Sequence, residues 1–379
     1  MPTLSRRHLL RALAAAPLVA AEACRLRRVS EVALGVLAAR TGDRAPWGED
    51  LLRGIELAVD QQNARGGING RRLRLAALDT ESNDARASGL VTRMVDREGP
   101  VAVFGELSTP LCERAAAAAQ RKGVVFVSPA STARDVSRVG DLVFRTALTD
   151  AEQVTALARH ARQGLQKRRV AIVYRRSSLL HVGMADAFAQ AFRGGGGEVA
   201  LRDSYADDAE LVRLVARLRA SSADVIFAPA SAEDAGRVAV ALRQGRASAQ
   251  VLGSDGWSSP EVRRYAADAA HGALFTDHFS PTSGRPDVEP FIAVFQQRYR
   301  ATPGTFAALG YDAARWVIRA ALRVPQLDAT TLRDALLTQR IEDAVAAPFS
   351  VTARRELRRP VHILRIERDG AAHATTIFP

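Results

Sequence analysis

The sequence predicts an α/β protein folded as two doubly wound lobes. Three observations carry this expectation. From residue 31 onward, apolar runs of four to seven residues alternate with longer amphipathic stretches. The runs are continuously apolar, as in parallel strands covered on both faces. About nine such units occur in 379 residues, more than one open sheet usually holds. The composition, 47% hydrophobic and 25% charged, excludes collagen-like and largely disordered chains. Two cysteines exclude a disulfide-rich scaffold.

The elements follow in order. A first strand at 32–37 leads to a helix at 48–65, where Leu52, Ile55, Leu57 and Val59 gather on one side. The stretch from Asn63 to Gly70, with three glycines and two asparagines, ends that helix and turns the chain. Strand 73–78, helix 84–97, strand 101–104, helix 110–122 and strand 124–127 continue the alternation. Next come helix 150–163, strand 170–173 and helix 183–193. The glycine run 194–197 reads as a flexible turn. Strand 199–202, helix 209–220, strand 225–228, helix 232–243 and strands 251–253 and 273–275 complete the pattern. Helices at 288–299, 306–322 and 330–337 follow. The chain then ends differently, in short strands at 349–352, 361–367 and 375–378.

The N-terminus reads as an address. Residues 1–24 carry Arg6, Arg7 and Arg11, then a mildly apolar stretch, then Ala21-Glu22-Ala23 before Cys24. This is the layout of a secretory signal, and Ser5-Arg6-Arg7-His8-Leu9-Leu10 resembles a twin-arginine export signal. Cys24 stands where a lipid anchor attaches in lipoproteins. The expectation is a signal over 1–23 and a periplasmic or otherwise extracytoplasmic protein, with lipidation at Cys24 as an open alternative. The other cysteine, Cys112, reads as a buried structural thiol.

The net charge is +12, and every basic residue except Lys122 and Lys167 is arginine. The arginines are spread along the chain, with no dense basic run interleaved with aromatics beyond the N-terminus. That distribution argues against nucleic-acid binding. No GxSxG elbow, GxxxxGK[ST] loop, HExxH or GxGxxG after a strand is present. His271 and His278, the closest histidine pair, read as ordinary surface or core residues. The expectation is a protein that is no enzyme and takes no cofactor or metal.

Polar residues instead recur at strand ends, where open α/β sheets bind ligands. After strand 101–104 come Ser108 and Thr109 at a helix start, two hydroxyls beside free amides that make a carboxylate seat or a plain helix cap. After 124–127 come Ser128-Pro129-Ala130-Ser131-Thr132. After 225–228 comes Ser231. After 251–253 comes Asp255, which could receive a cation or cap a turn.

These features resemble the leucine/isoleucine/valine-binding family of periplasmic receptors for ABC importers. The resemblance runs from about Val32 to Leu322. It is carried by Gly35 to Gly42, Trp47-Gly48, Gly54-Ile-Glu-Leu-Ala58, Asn63 to Gly70, Asp79, Ser128-Pro129-Ala130, Phe144-Arg145-Thr146 and Tyr311-Asp312-Ala313-Ala314. It implies the type I periplasmic-binding-protein fold: two Rossmann-like lobes joined by a three-strand hinge and closing over a small ligand. It divides the chain into 30–146 with 276–345, and 147–275 with 346–379. Trp47 would pack on the ligand, and Thr109 with Ser108 would hold an α-carboxylate. Ala130 would offer its carbonyl and Thr132 its hydroxyl, beside Ser131. Asp255 would meet an α-ammonium, and Ser231 stands where some members place an aromatic residue. The implied partners are an amino acid or related small carboxylate or amide and an inner-membrane ABC permease, with the protein a monomer. A ligand sensor of the same fold is the alternative.

One stretch departs from the family. After the strand at 170–173 members often show an acidic residue and then Tyr-Gly. Here the stretch reads Tyr174-Arg175-Arg176-Ser177-Ser178-Leu179-Leu180-His181-Val182-Gly183, with Leu180 near the missing tyrosine. Arg175 and Arg176 read as solvated loop residues or as partners of a second ligand carboxylate.

Overall fold

The computed structural model of the protein describes residues 31–378. The leader and Cys24 lie outside them.

One sheet holds β1 (Glu31–Ala38), β2 (Arg72–Asp79), β3 (Ala102–Phe104), β4 (Val125–Ser128) and β5 (Val143–Arg145). It is all parallel, in the order β2-β1-β3-β4-β5. The crossovers carry α1 (Ala45–Ala64), α2 (Ala87–Glu98) and α3 (Thr109–Arg121). Strand β5, only three residues long, was not expected, because so short a run is hard to tell from a loop.

The second sheet follows. After α4 (Asp150–Gln163) come β6 (Arg169–Arg175), α5 (Leu179–Gly194), β7 (Glu198–Tyr205), α6 (Asp208–Ala220), β8 (Val225–Ala228), α7 (Ala232–Gln244), β9 (Gln250–Gly253), α8 (Glu261–Ala266) and β10 (Leu274–Asp277). Helix α5 starts four residues ahead of the expected 183, because the Ser178 hydroxyl caps it by accepting from the His181 amide. The chain then adds α9 (Val288–Tyr299), α10 (Thr305–Arg323), α11 (Ala329–Thr338), a small ribbon β11 (Ser350–Val351) with β12 (Leu357–Arg358), and the hairpin β13 (Val361–Glu367) and β14 (Gly370–Ile377). The sheet order is β14-β13-β10-β9-β8-β6-β7, antiparallel in the pairings β14–β13 and β13–β10 and parallel from β10 to β7.

Both lobes are therefore three-layered. In the first, α1, α9, α10 and α11 cover one face of the sheet, and α2 and α3 the other. In the second, α6, α7 and α8 cover one face, and α4 and α5 the other. Helices α1 and α10 cross closely at Gly54, where a Cβ would lie 2.0 Å from the Ala307 carbonyl oxygen, so no larger side chain fits without moving a helix.

The chain passes between lobes three times: after β5, after β10 and before β13. The last passage corrects the expected boundary at 346. Phe349, Val351 and Leu357 pack in the first-lobe core, because the β11–β12 ribbon closes over α11 and the sheet. Arg359 clamps the crossovers. Fully buried, it donates to Asp312 on α10 at 2.9 Å and to the Thr146 carbonyl at 2.6 Å. Asp312 also accepts the Val345 and Ala346 amides at 2.7 and 2.9 Å.

Candidate functional site

The carboxyl ends of the strands of both sheets meet where the chain crosses between lobes. On the first lobe, Ser108 caps α3, accepting from the Leu111 amide. In the ligand-free chain its polar groups already have partners. The Ser108 hydroxyl donates to Asp84 at 2.7 Å, and its amide donates to Glu106 at 3.4 Å. Glu106 is fully buried and is held by the Thr80 hydroxyl and by Arg44, 3.4 Å away. Both polar groups of Ser108 thus serve carboxylates of the chain itself. Thr109, the next residue, pairs its hydroxyl with that of Ser131 at 2.9 Å.

The loop after β4 is the second contributor. Ala130 and Ser131 are buried, and the Ser131 amide donates to the Ser128 hydroxyl. Thr132 donates its hydroxyl to Asp150 at 2.9 Å. Trp47 lies in the first turn of α1 and is 45% exposed, so a large apolar face on the first lobe is uncovered.

Asp150 and Gln153 were not among the expected site residues. Asp150 opens α4, after Thr149 and Glu152 form a reciprocal cap. Gln153, one turn on, donates to Asp255 at 3.3 Å, while its Oε1 is enclosed without a partner. The available signal was an acid and an amide three apart at the start of the helix after a crossover.

Asp255 begins the 3-10 turn Asp255–Ser258 after β9. That turn is locked from below by Trp257, whose indole N–H donates to the Ala228 carbonyl at 2.8 Å. Gly256 lets it lie against the next loop, since a Cβ there would meet the Ala230 oxygen at 2.0 Å.

Electrostatics follow from this convergence. Burial, followed by the nearby Asp255 charge, pushes the Asp150 carboxyl up to about 8. Burial also pushes Asp255 upward, against the bond from Gln153. Asp277, at the end of β10, is pushed to about 6 by burial, with the Thr305 hydroxyl donating to it at 2.8 Å. Burial and the Asp255 charge together outweigh the Arg145 guanidinium, which favours the ionised form of Asp150.

A pH dependence follows. The raised folded-state pKa of Asp150 costs stability at high pH, and the cost is relieved as pH falls from about 8 towards the ordinary carboxylate value near 4. Asp150→Asn is expected to melt above the wild type at pH 9, with the advantage shrinking progressively towards pH 4. Thermal melts across that range check it, and a pH-independent difference would contradict it.

Ser231 caps α7 and is exposed, with its hydroxyl 3.2 Å from Asp234. Arg175 is committed: it donates through Nε to both Asp234 oxygens at 2.8 and 2.9 Å and lies over the Tyr205 ring. Arg176 donates to Glu210 at 2.9 Å. Neither arginine is free for a second ligand carboxylate. Cys112 is a buried thiol donating to the Glu106 carbonyl, and burial pushes its pKa up to about 12. No cluster of three metal-binding side chains occurs among the described residues. A cavity of about 390 Å³ lined by Arg263, Arg264, His271 and Arg368 lies at the opposite end of the second lobe, at the amino end of β10, away from these groups.

The structure thus gathers Thr109, Ser131, Thr132 and Asp255 with Asp150 and Gln153, and leaves Ser108 turned to Asp84 and Glu106. Known proteins share this frame. The Leu/Ile/Val-binding protein BraC3 of Rhizobium johnstonii is 28% identical over 260 residues, 68% of this chain and 70% of that protein. The Leu/Ile/Val-binding protein of Escherichia coli K12 is 27% identical over 251 residues, 65% of this chain and 67% of the other. Among solved structures, the branched-chain amino acid transporter substrate binding protein LivJ from Streptococcus pneumoniae, in complex with isoleucine, superposes with a TM-score of 0.77 at 24% identity, over 92% of this chain and all of that one. A solute binding protein from R. palustris in complex with benzoate gives 0.74 at 20% identity, over 92% and 97%. Residues 31–371 match the family described as periplasmic binding protein, and the chain belongs to that family of extracytoplasmic solute-binding proteins, which are not enzymes.

Proposed function

We propose that this protein captures an amino acid, or a related small carboxylate or amide, between its lobes and delivers it to an inner-membrane ABC permease. The observation that carries the reading is the pairing of opposite chemistries across one cleft. Asp255 supplies negative charge beside Gln153, with the protonated Asp150 next to it, and Thr109 with Ser131 supplies hydroxyl donors. A zwitterion needs both ends, and charge-assisted bonds contribute roughly 1.5–3 kcal/mol each once closure excludes water. Trp47 covers the ligand from the first lobe, Ala130 offers its carbonyl, and Ser231 lines the second lobe. The protein acts as a monomer. It is exported by the twin-arginine-like leader over 1–23, with Cys24 as the candidate lipid site.

A thermal-shift screen of amino acids, amides, dicarboxylates and aromatic acids tests this. A ligand at 100 times its Kd adds about 2.7 kcal/mol and raises the melting temperature by several degrees. The expected hits carry both an amine and a carboxylate. Hits confined to acids without an amine would reject the zwitterion.

A further inference from the structure

We infer that His181 contacts the ligand and selects an uncharged hydrogen-bond acceptor, an amide carbonyl or a hydroxyl, at the ligand's distal end. The inference rests on the amino-acid reading above. His181 stands in the first turn of α5, at the carboxyl end of β6. In the order β9-β8-β6 it is two strands from Asp255, roughly 10 Å across the sheet edge. A ligand with its ammonium at Asp255 and an extended side chain covers that distance. The intervening loops are joined: the Ala230 amide donates to the Ser254 hydroxyl, and Ser231 contacts Asp234, whose charge reaches His181.

The surroundings set the chemistry. Leu179 and Leu180 beside it are 86% and 54% exposed, an uncovered apolar rim. Arg175 and Arg176 are bound to Asp234 and Glu210, so neither is available to balance a charged distal group. His181 is 7% exposed, and burial holds its imidazole neutral at neutral pH. Its Nδ1 is enclosed without a partner, which leaves Nε2 for a ligand. A lone-pair nitrogen is less costly to enclose unpaired than an N–H, so the proton sits on Nε2 and the imidazole donates. An apolar rim with one neutral donor fits a side chain of methylenes ending in an acceptor.

Titration calorimetry with glutamine, its apolar isostere norleucine, glutamate and leucine tests this. Glutamine should bind at least tenfold more tightly than norleucine or glutamate. His181→Phe should bring glutamine and norleucine within threefold, and His181→Gln, which keeps a donor, should retain part of the margin. The inference is overturned if the wild type binds norleucine as tightly as glutamine, or if the margin survives His181→Phe. Should His181→Phe fail to fold, His181→Gln decides, because complete loss of the margin in it also overturns the inference. Binding of none of the four would overturn the amino-acid reading itself, and this inference with it.

Discussion

Asp255→Asn is expected to weaken ligand binding by roughly 30-fold or more while leaving the ligand-free protein folded. The carboxylate opens a turn that Trp257 holds from below, with Gln153 donating to it. Removing one partner of a desolvated charge pair costs about 2–5 kcal/mol, or roughly 30- to several-thousand-fold in Kd. The same burial raises the pKa of Asp255, so its ionised form costs the empty protein stability at neutral pH. Asn removes that cost. The expected signature is a ligand-free melting temperature equal to or above that of the wild type, together with lost affinity. A variant that binds within threefold of the wild type would remove Asp255 from the site. One that loses affinity and melts lower would assign it a structural role.

The second large effect belongs to the hinge. Asp312→Ala should lower stability by about 3–5 kcal/mol, because Arg359 would be left as an uncompensated buried cation and two amides would lose their acceptor. Burial already pulls the Arg359 pKa down to about 10 and pushes Asp312 up, so desolvation opposes both charges. In a protein of this size the loss should lower the melting temperature by about 4–7 degrees. Replacing both, Asp312→Leu with Arg359→Met, should recover most of the loss, since an apolar pair needs no desolvation. Calorimetric unfolding of the three proteins checks this. A single-variant loss below about 1 kcal/mol would show that the pair does not clamp the crossovers.

The alternation of apolar runs and amphipathic stretches was enough to read the two sheets, because a parallel strand covered on both faces must be apolar throughout. It did not reveal β5, whose three residues are too few for a pattern, or the length of β14, where Gly370-Ala371-Ala372-His373 pairs through backbone alone. The hydroxyls at Thr109, Ser131 and Thr132 and the acid at Asp255 were legible from their places at strand ends. Asp150 and Gln153 were not, because a helix start explains an acid there equally well and only the fold brings Gln153 against Asp255, 102 positions along the chain. The partners of Ser108 were not legible either: Asp84 arrives from a distant turn, and nothing local shows that Glu106, two residues upstream, folds back onto its amide. Arg175 and Arg176 similarly found partners that no local pattern announces.

The most direct test of the whole account is a crystal structure of the protein with the tightest ligand from the screen. The account predicts a ligand between the lobes, its ammonium within hydrogen-bond distance of Asp255, its carboxylate at Thr109 and Ser131, and Trp47 covered. Ligand bound elsewhere, for example in the cavity beside Arg263 and Arg368, or bound with its carboxylate turned towards Asp150 and Asp255, would contradict it.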